Sequence, residues 1–206
     1  MSSSARSFRW KGFEMNKALY WQCGSKRLSL QRTLIMGIVN VTPDSFSDGG
    51  KHNTVDAAVN WGCRLAQEGA DILDVGGEST RPGAAAVTVE DELQRVIPVV
   101  EALASRGFTV SVDTSKAEVM RAALSAGASI LNDVRAFEEE GALQAAANSS
   151  AGLVIMHMHG TPNTGFGWMQ DDSYLEDIES YLMKRQSALQ NLGVSPDRIC
   201  WDAGFG

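Results

Sequence analysis

The sequence predicts an α/β fold, a (β/α)8 TIM barrel of which about strands 1–6 are present. Three observations carry that expectation. From Leu34 onward, short apolar runs alternate with longer amphipathic ones, which is the rhythm of a parallel sheet with a helix in every crossover. The first and last runs, at Leu34 and Arg198, give roughly 33 residues per strand–helix unit, so eight units need about 260 residues, a normal barrel length. Each apolar run ends in an Asn, Asp, His or polar loop, so the polar residues collect at one end of the strands. An open doubly wound sheet would gather them in a crevice at its switch point, and a barrel gathers them at its mouth.

The elements follow in order. Strands are expected at Leu34–Val39, Asp71–Val75, Phe108–Val112, Ser129–Leu131, Gly152–Met156 and Arg198–Trp201, each short, mostly apolar and bounded by turn residues. Helices fill the gaps at Thr54–Gln67, Glu90–Ala104, Lys116–Ala126, Gly141–Asn148 and Asp171–Asn191. In the second of these, Leu93, Val96, Ile97, Val100 and Leu103 form one apolar stripe, and Thr88 lies three residues ahead of Asp91 as a capping start. On this arithmetic the 206 residues end inside the sixth strand–helix loop, roughly 90 short of a closed barrel. Two open edges are then expected, and a piece of this length should be inactive and poorly stable by itself.

Composition narrows the function classes. With 44% hydrophobic and 21% charged residues, the chain is neither disordered nor a disulfide scaffold. Cys23, Cys63 and Cys200 are odd in number and far apart, and read as free thiols of a reducing, cytoplasmic protein. No apolar run nears the ~20 residues of a membrane span. Residues 1–32 hold seven bases and one acid, whereas the chain as a whole is −7, leaving −13 on the remainder. An acidic body argues against a nucleic-acid partner. Residues 1–33 are expected to form a basic extension and barrel-bottom cap ahead of the 34–206 domain. The start is Ser- and Arg-rich like a targeting peptide but lacks a secretory h-region; an upstream start before Met15 is the simpler account.

The strand ends carry the chemistry. Asp113, Asn132 and Asp202 supply two carboxylates and an amide, a set that suits a flat heterocycle with an amino-amidine edge. Asn40, with Asp44 and Asp48 nearby, offers the oxygen ligands that Mg²⁺ takes alongside water and phosphate. Arg81, in a Gly-flanked loop, can meet a carboxylate or phosphate. Neither a phosphate loop of the G-x-x-x-x-G-K type nor a G-x-G-x-x-G fingerprint occurs. Asp74, inside an apolar strand, reads as a buried support. His157 and His159 lack a third His or a Cys for a zinc site.

Two long motifs resemble the signatures of the dihydropteroate synthase family: Met36 through Gly50 (MGIVNVTPDSFSDGG) and Gly69 through Gly83 (GADILDVGGESTRPG). Ser111-Val112-Asp113-Thr114-Ser115, Leu131-Asn132-Asp133 and Met156-His157-Met158 fall where that family has its later landmarks. The resemblance implies condensation of 6-hydroxymethyl-7,8-dihydropterin pyrophosphate with 4-aminobenzoate, giving 7,8-dihydropteroate and pyrophosphate. It implies that Asp113, Asn132 and Asp202 hold the pterin with Met156 packed nearby, and that Asp113 stabilises the developing cation. Asn40 is then the Mg²⁺ contact. The loops bearing Asp44, Phe46 and Asp48, and Thr80, Arg81 and Pro82, meet pyrophosphate and aminobenzoate, where sulfonamides compete. A homodimer is implied as well. The chain departs from the family at Ala203, where a proline is usual, and at His159, where many members carry Gln. It also has no counterpart of the later Lys and Arg-x-His motifs. A pterin-dependent methyltransferase or a binding-only relative are the alternatives.

Overall fold

The computed structural model describes residues 19–42, 51–78, 86–158 and 174–204. A hairpin comes first, β1 (Tyr20–Cys23) and β2 (Lys26–Ser29). Then follow β3 (Met36–Asn40), α1 (Lys51–Gln67), β4 (Ile72–Gly76), α2 (Val89–Ala104), β5 (Val110–Asp113) and α3 (Ala117–Ser125). The chain continues through β6 (Ile130–Asp133), α4 (Ala142–Ala147), β7 (Gly152–Met156), α5 (Tyr174–Asn191) and β8 (Ile199–Asp202).

Strands β3 to β8 pair in sequence order, and every pair is parallel. A doubly wound sheet reverses its order at a switch point. This one never reverses, so it is an arc of a (β/α)8 barrel with β3 and β8 at its edges. Alternate strand residues point outward: Val39, Leu73, Val75, Val110, Val112, Leu131, Leu153 and Ile155 pack with Ala58, Val96, Val100, Leu103 and Met120 of the helices in the main core. The other set faces the barrel interior. There Ile38 is 61% exposed, because edge strand β3 has no neighbour on that side among the described residues. The indole N–H of Trp61 donates to the Ile38 carbonyl at 3.1 Å, covering one edge acceptor.

The expected strands are all present, Gly152–Met156 with the bounds expected and the other five with shifted ends. Leu34 and Ile35 lie outside β3 because Asp71 occupies their ladder: its carboxylate accepts from Ile35 N at 2.9 Å, and its own N–H donates to Ile35 O. Arg32 pairs with the same carboxylate and, with Ile35 N, holds it below the usual Asp value. Arg198 is not strand; it ends a 3-10 turn (Pro196–Arg198) and its guanidinium donates to Ala151 O at 2.8 Å. Thr88 caps α2 as expected, its Oγ accepting from Asp91 N at 3.1 Å.

The hairpin was not foreseen as strand. Gly24 supplies the positive φ, 62°, that a two-residue hairpin loop requires. Its buried face, Trp21 and Cys23, joins Ile72, Ile130 and Val154 in a second core layer at the N-terminal ends of the strands. Polar contacts pin it there: Trp21 Nε1 to Arg198 O at 2.9 Å, Gly24 N to Ser150 O at 2.8 Å, and Lys26 Nζ to Phe108 O at 2.6 Å. Residues 1–18 lie outside the described residues. Among those described, no helix is long and apolar enough to cross a membrane.

Gly152 is where hairpin and barrel meet most tightly. A Cβ there would sit 2.5 Å from Cys23 Sγ and 3.1 Å from the Trp21 ring. Gly152→Ala is therefore expected to destabilise the fold by about 1–3 kcal/mol through overpacking, read as a lower urea midpoint. An unchanged midpoint would show that the hairpin yields freely.

Candidate active site at the strand ends

Lateral register brings the nominated residues together. Asn40 pairs with Gly76, Gly76 with Asp113, and Asp113 with Asn132, one row across four strands. Met156 and Asp202 pair with each other on β7 and β8. They lie two residues beyond Val154 and Cys200, which continue that row through the Asn132–Val154 and Val154–Cys200 pairs, so they rise on the same face. Thus Asn40, Asp113, Asn132, Met156 and Asp202 share the C-terminal rim of the sheet. Asp44, Phe46, Asp48, Thr80, Arg81, Pro82 and His159 lie outside the described residues.

Gly76 leaves a gap in the row. A Cβ there would stand 3.5 Å from Asp113 Oδ2 and 3.9 Å from Asn40 Oδ1, so two side-chain oxygens flank the space that it leaves empty. Below, the Asn132 amide donates to Asp74 Oδ2 at 3.0 Å, which fixes which way the amide points. Asp74 is buried, as a support residue should be, and its Oδ1 has no hydrogen-bond partner among the described residues. Asp202 is exposed; its Oδ1 accepts from Gly204 N at 2.8 Å and its carbonyl accepts from His157 N. Gly204, at φ 70°, thus completes the turn despite Ala203 in the place of proline.

Electrostatics single out Asp113. Burial pushes its carboxyl well above the usual Asp value, and the negative charges of Asp74, Asp133, Glu92 and Glu78 push it further. Burial likewise raises Asp74, against help from the Asn132 amide. An acid so placed loses its proton readily only when positive charge or N–H donors arrive opposite it. The rim is therefore suited to a planar, donor-rich ligand on which positive charge develops.

The His157 ring turns the other way. It is buried edge-on against Tyr181 and Tyr174, with centroids 5.3 and 6.1 Å apart. Among the described residues no cluster of three His, Cys, Asp or Glu could hold a metal.

Sequence reasoning passed over the acids and base behind the rim. Asp133 is fully buried, accepting from Ser115 Oγ at 2.6 Å and from Arg135 N and Phe137 N at 2.8 Å each. Glu92 is also fully buried, at a first-turn position that sequence alone assigns to solvent. The signal was available: Glu92, Val96, Val99, Val100 and Leu103 make one helical face.

The chain matches the family model of pterin-binding enzymes over residues 36–206. It is 48% identical over 180 residues to dihydropteroate synthase of Escherichia coli, covering 87% of this chain and 64% of that protein. It thus spans just under two thirds of that curated relative. Among solved structures it resembles Xanthomonas albilineans dihydropteroate synthase with 4-aminobenzoic acid, at TM-score 0.84 and 50% identity, covering 92% of this chain and 68% of that one. The Burkholderia cenocepacia enzyme complexed with 7,8-dihydropteroate gives TM-score 0.80 and 44% identity, covering 91% and 64%. A rim of Asn and Asp at the strand ends of a barrel arc, together with a family match over every element from β3 to β8, places the chain in the pterin-binding enzyme family.

Proposed function

We propose that this chain carries the pterin half of a dihydropteroate synthase, joining 6-hydroxymethyl-7,8-dihydropterin pyrophosphate to 4-aminobenzoate in folate synthesis. The observation that carries the reading is the Asn40–Gly76–Asp113–Asn132 row, with Asp113 held in reserve by burial. Asp113, Asn132 and Asp202 take the N–H and C=O edge of the pterin, and Met156 packs on its face. The bond from the exocyclic methylene carbon to the pyrophosphate oxygen breaks, and its electron pair leaves with pyrophosphate. The positive charge left on that carbon spreads into the ring, where the Asp113 carboxylate stabilises it. The arylamine nitrogen then attacks the carbon and sheds its proton, with no protein nucleophile involved.

The donor set fits Mg²⁺. Asn40 presents an amide oxygen at the open rim, and Mg²⁺ commonly takes one or two protein oxygens, completing its shell with water and substrate phosphate. When bound, the ion supplies positive charge to the leaving pyrophosphate. Asp44 and Asp48 follow Asn40 closely enough in sequence to share in that role. Thr80, Arg81, Pro82 and Phe46 are assigned to pyrophosphate and aminobenzoate. Residues 1–33 act as the basic extension and bottom cap. The protein works in the cytoplasm, as two copies.

Calorimetric titration of the natural-length protein with the pterin pyrophosphate, followed by a pyrophosphate-release assay with 4-aminobenzoate, tests the reading. Saturable pterin binding and arylamine-dependent release are expected. Absence of pterin binding at millimolar ligand overturns it.

A further inference from the structure

The turn after β8 is tied to the end of β7 at several points. Met156 and Asp202 face each other in the β7–β8 register. His157 N donates to Asp202 O at 2.8 Å, and Gly204 N donates to Asp202 Oδ1 at 2.8 Å. Gly204 also lies flat against the His157 carbonyl: at its φ of 70°, a Cβ would stand 2.0 Å from His157 O. Backbone cannot step aside as a side chain can, whereas Met156 Cγ, at 3.6 Å, is at ordinary contact distance. Ala203 lacks the fixed φ that a proline would supply, so these contacts define the turn. Among the described residues, Gly204 N is the donor to the Asp202 carboxylate, and it takes Oδ1. Oδ2 is the oxygen left for a ligand at the rim.

We propose that Gly204 is a positioning residue: its N–H holds Asp202 Oδ1, and its missing side chain lets the turn close on β7, so that Asp202 presents Oδ2 to the N–H edge of the pterin. This rests on the reading that Asp202 binds the pterin. Asn132 and Asp113 owe nothing to this turn. Asn132 is held from below by Asp74, and the acids that act on Asp113 are Asp74, Asp133, Glu92 and Glu78, none of them on β8. Gly204 carries no charge, so a change there reaches neither group by hydrogen bond or by field. Gly204→Ala must move the backbone away from His157 O. That carries the N–H off Oδ1 and frees the carboxylate to rotate, so the pterin loses an acceptor that was set in place before binding.

The test uses the natural-length protein and calorimetric Kd values for 6-hydroxymethyl-7,8-dihydropterin pyrophosphate. Gly204→Ala should raise that Kd about tenfold or more, the scale of one bond to a charged group. The rise should pass through Asp202: in an Asp202→Ala background, adding Gly204→Ala should change the Kd by less than about twofold. Asp202→Asn is an independent check that leaves the backbone alone. Its carbonyl oxygen is taken by Gly204 N, so its amide N–H group is turned to the pterin donors, and it should lose as much affinity as Asp202→Ala. If urea melts show that Gly204→Ala does not fold, this comparison decides. An unchanged Kd in Gly204→Ala, full additivity with Asp202→Ala, or an Asp202→Asn protein that binds clearly better than Asp202→Ala overturns the proposal while leaving the function standing. If Asp202→Ala binds like wild type, the assignment of Asp202 falls and the proposal with it. A wild type that does not bind the pterin overturns the function first.

Discussion

In the natural-length protein, Asp113→Asn should cut the proposed dihydropteroate formation by about 100- to 1000-fold, the scale on which one preorganised electrostatic group acts on a developing charge. The same change should make the protein more stable. The wild-type carboxyl, raised by burial and by four neighbouring acids, holds its proton in the folded state at pH values where the unfolded chain has lost it. Folded molecules then bind more protons, so stability falls as pH rises from the unfolded Asp value, 3.8, through the folded one. Asn has no such transition. The gain should be absent near pH 3 and grow with pH to about 1–2 kcal/mol, a range common for functional sites that trade stability for activity. Urea melts of both proteins across pH 4–8 measure it; a constant difference would remove Asp113 as its source. Asp74 and Asp133, also raised by burial, leave a shared slope in both.

Asp133→Ala should be the most damaging single change to the fold, costing about 3–5 kcal/mol, because three donors lose their acceptor inside the protein. Two of these, Arg135 N and Phe137 N, belong to the turn after β6 in which Ala136 and Phe137 adopt φ of 49° and 62°. Non-glycine residues reach such angles only when their surroundings enforce them. Asp133 does so from one side, and from the other Arg185 donates to the carbonyls of Ala136 and Phe137 at 2.9 Å each. Asp133→Asn keeps one acceptor oxygen and should lose about half as much. Denaturant midpoints for the pair separate the hydrogen bonds from simple truncation; equal losses would contradict the argument.

The barrel was legible because its outward strand positions and its helix stripes are both apolar, so the two periods show. That Asn40, Asp113, Asn132 and Asp202 would share one rim was legible because they stand at strand ends, where neither period wants a polar residue, whereas Met156 was nominated through the family resemblance alone. What lay behind them was not. Glu92 lies on the buried helical face but reads as one of three solvated first-turn acids, and the partner that lets it be buried, Lys116, is 24 residues away, where no local pattern joins the two. The hairpin's signal, Gly24-Ser25 between Trp21, Cys23 and Leu28, was masked by the surrounding bases, which suggested an unstructured extension. Asp71 looked like the first residue of a strand and proved to be the cap that delays two of them.

The hairpin also has a history in time. Trp21 emerges from the ribosome early, yet its indole is satisfied by Arg198, 177 residues later. At roughly 5–20 residues per second of synthesis, that wait lasts on the order of 10–35 seconds. Throughout it the indole and the Cys23 thiol lack their final cover, since Ile72, Ile130 and Val154 arrive one strand at a time. The nascent chain thus displays an uncovered aromatic face from the outset, and slowing translation between β1 and β8 should lengthen that exposure.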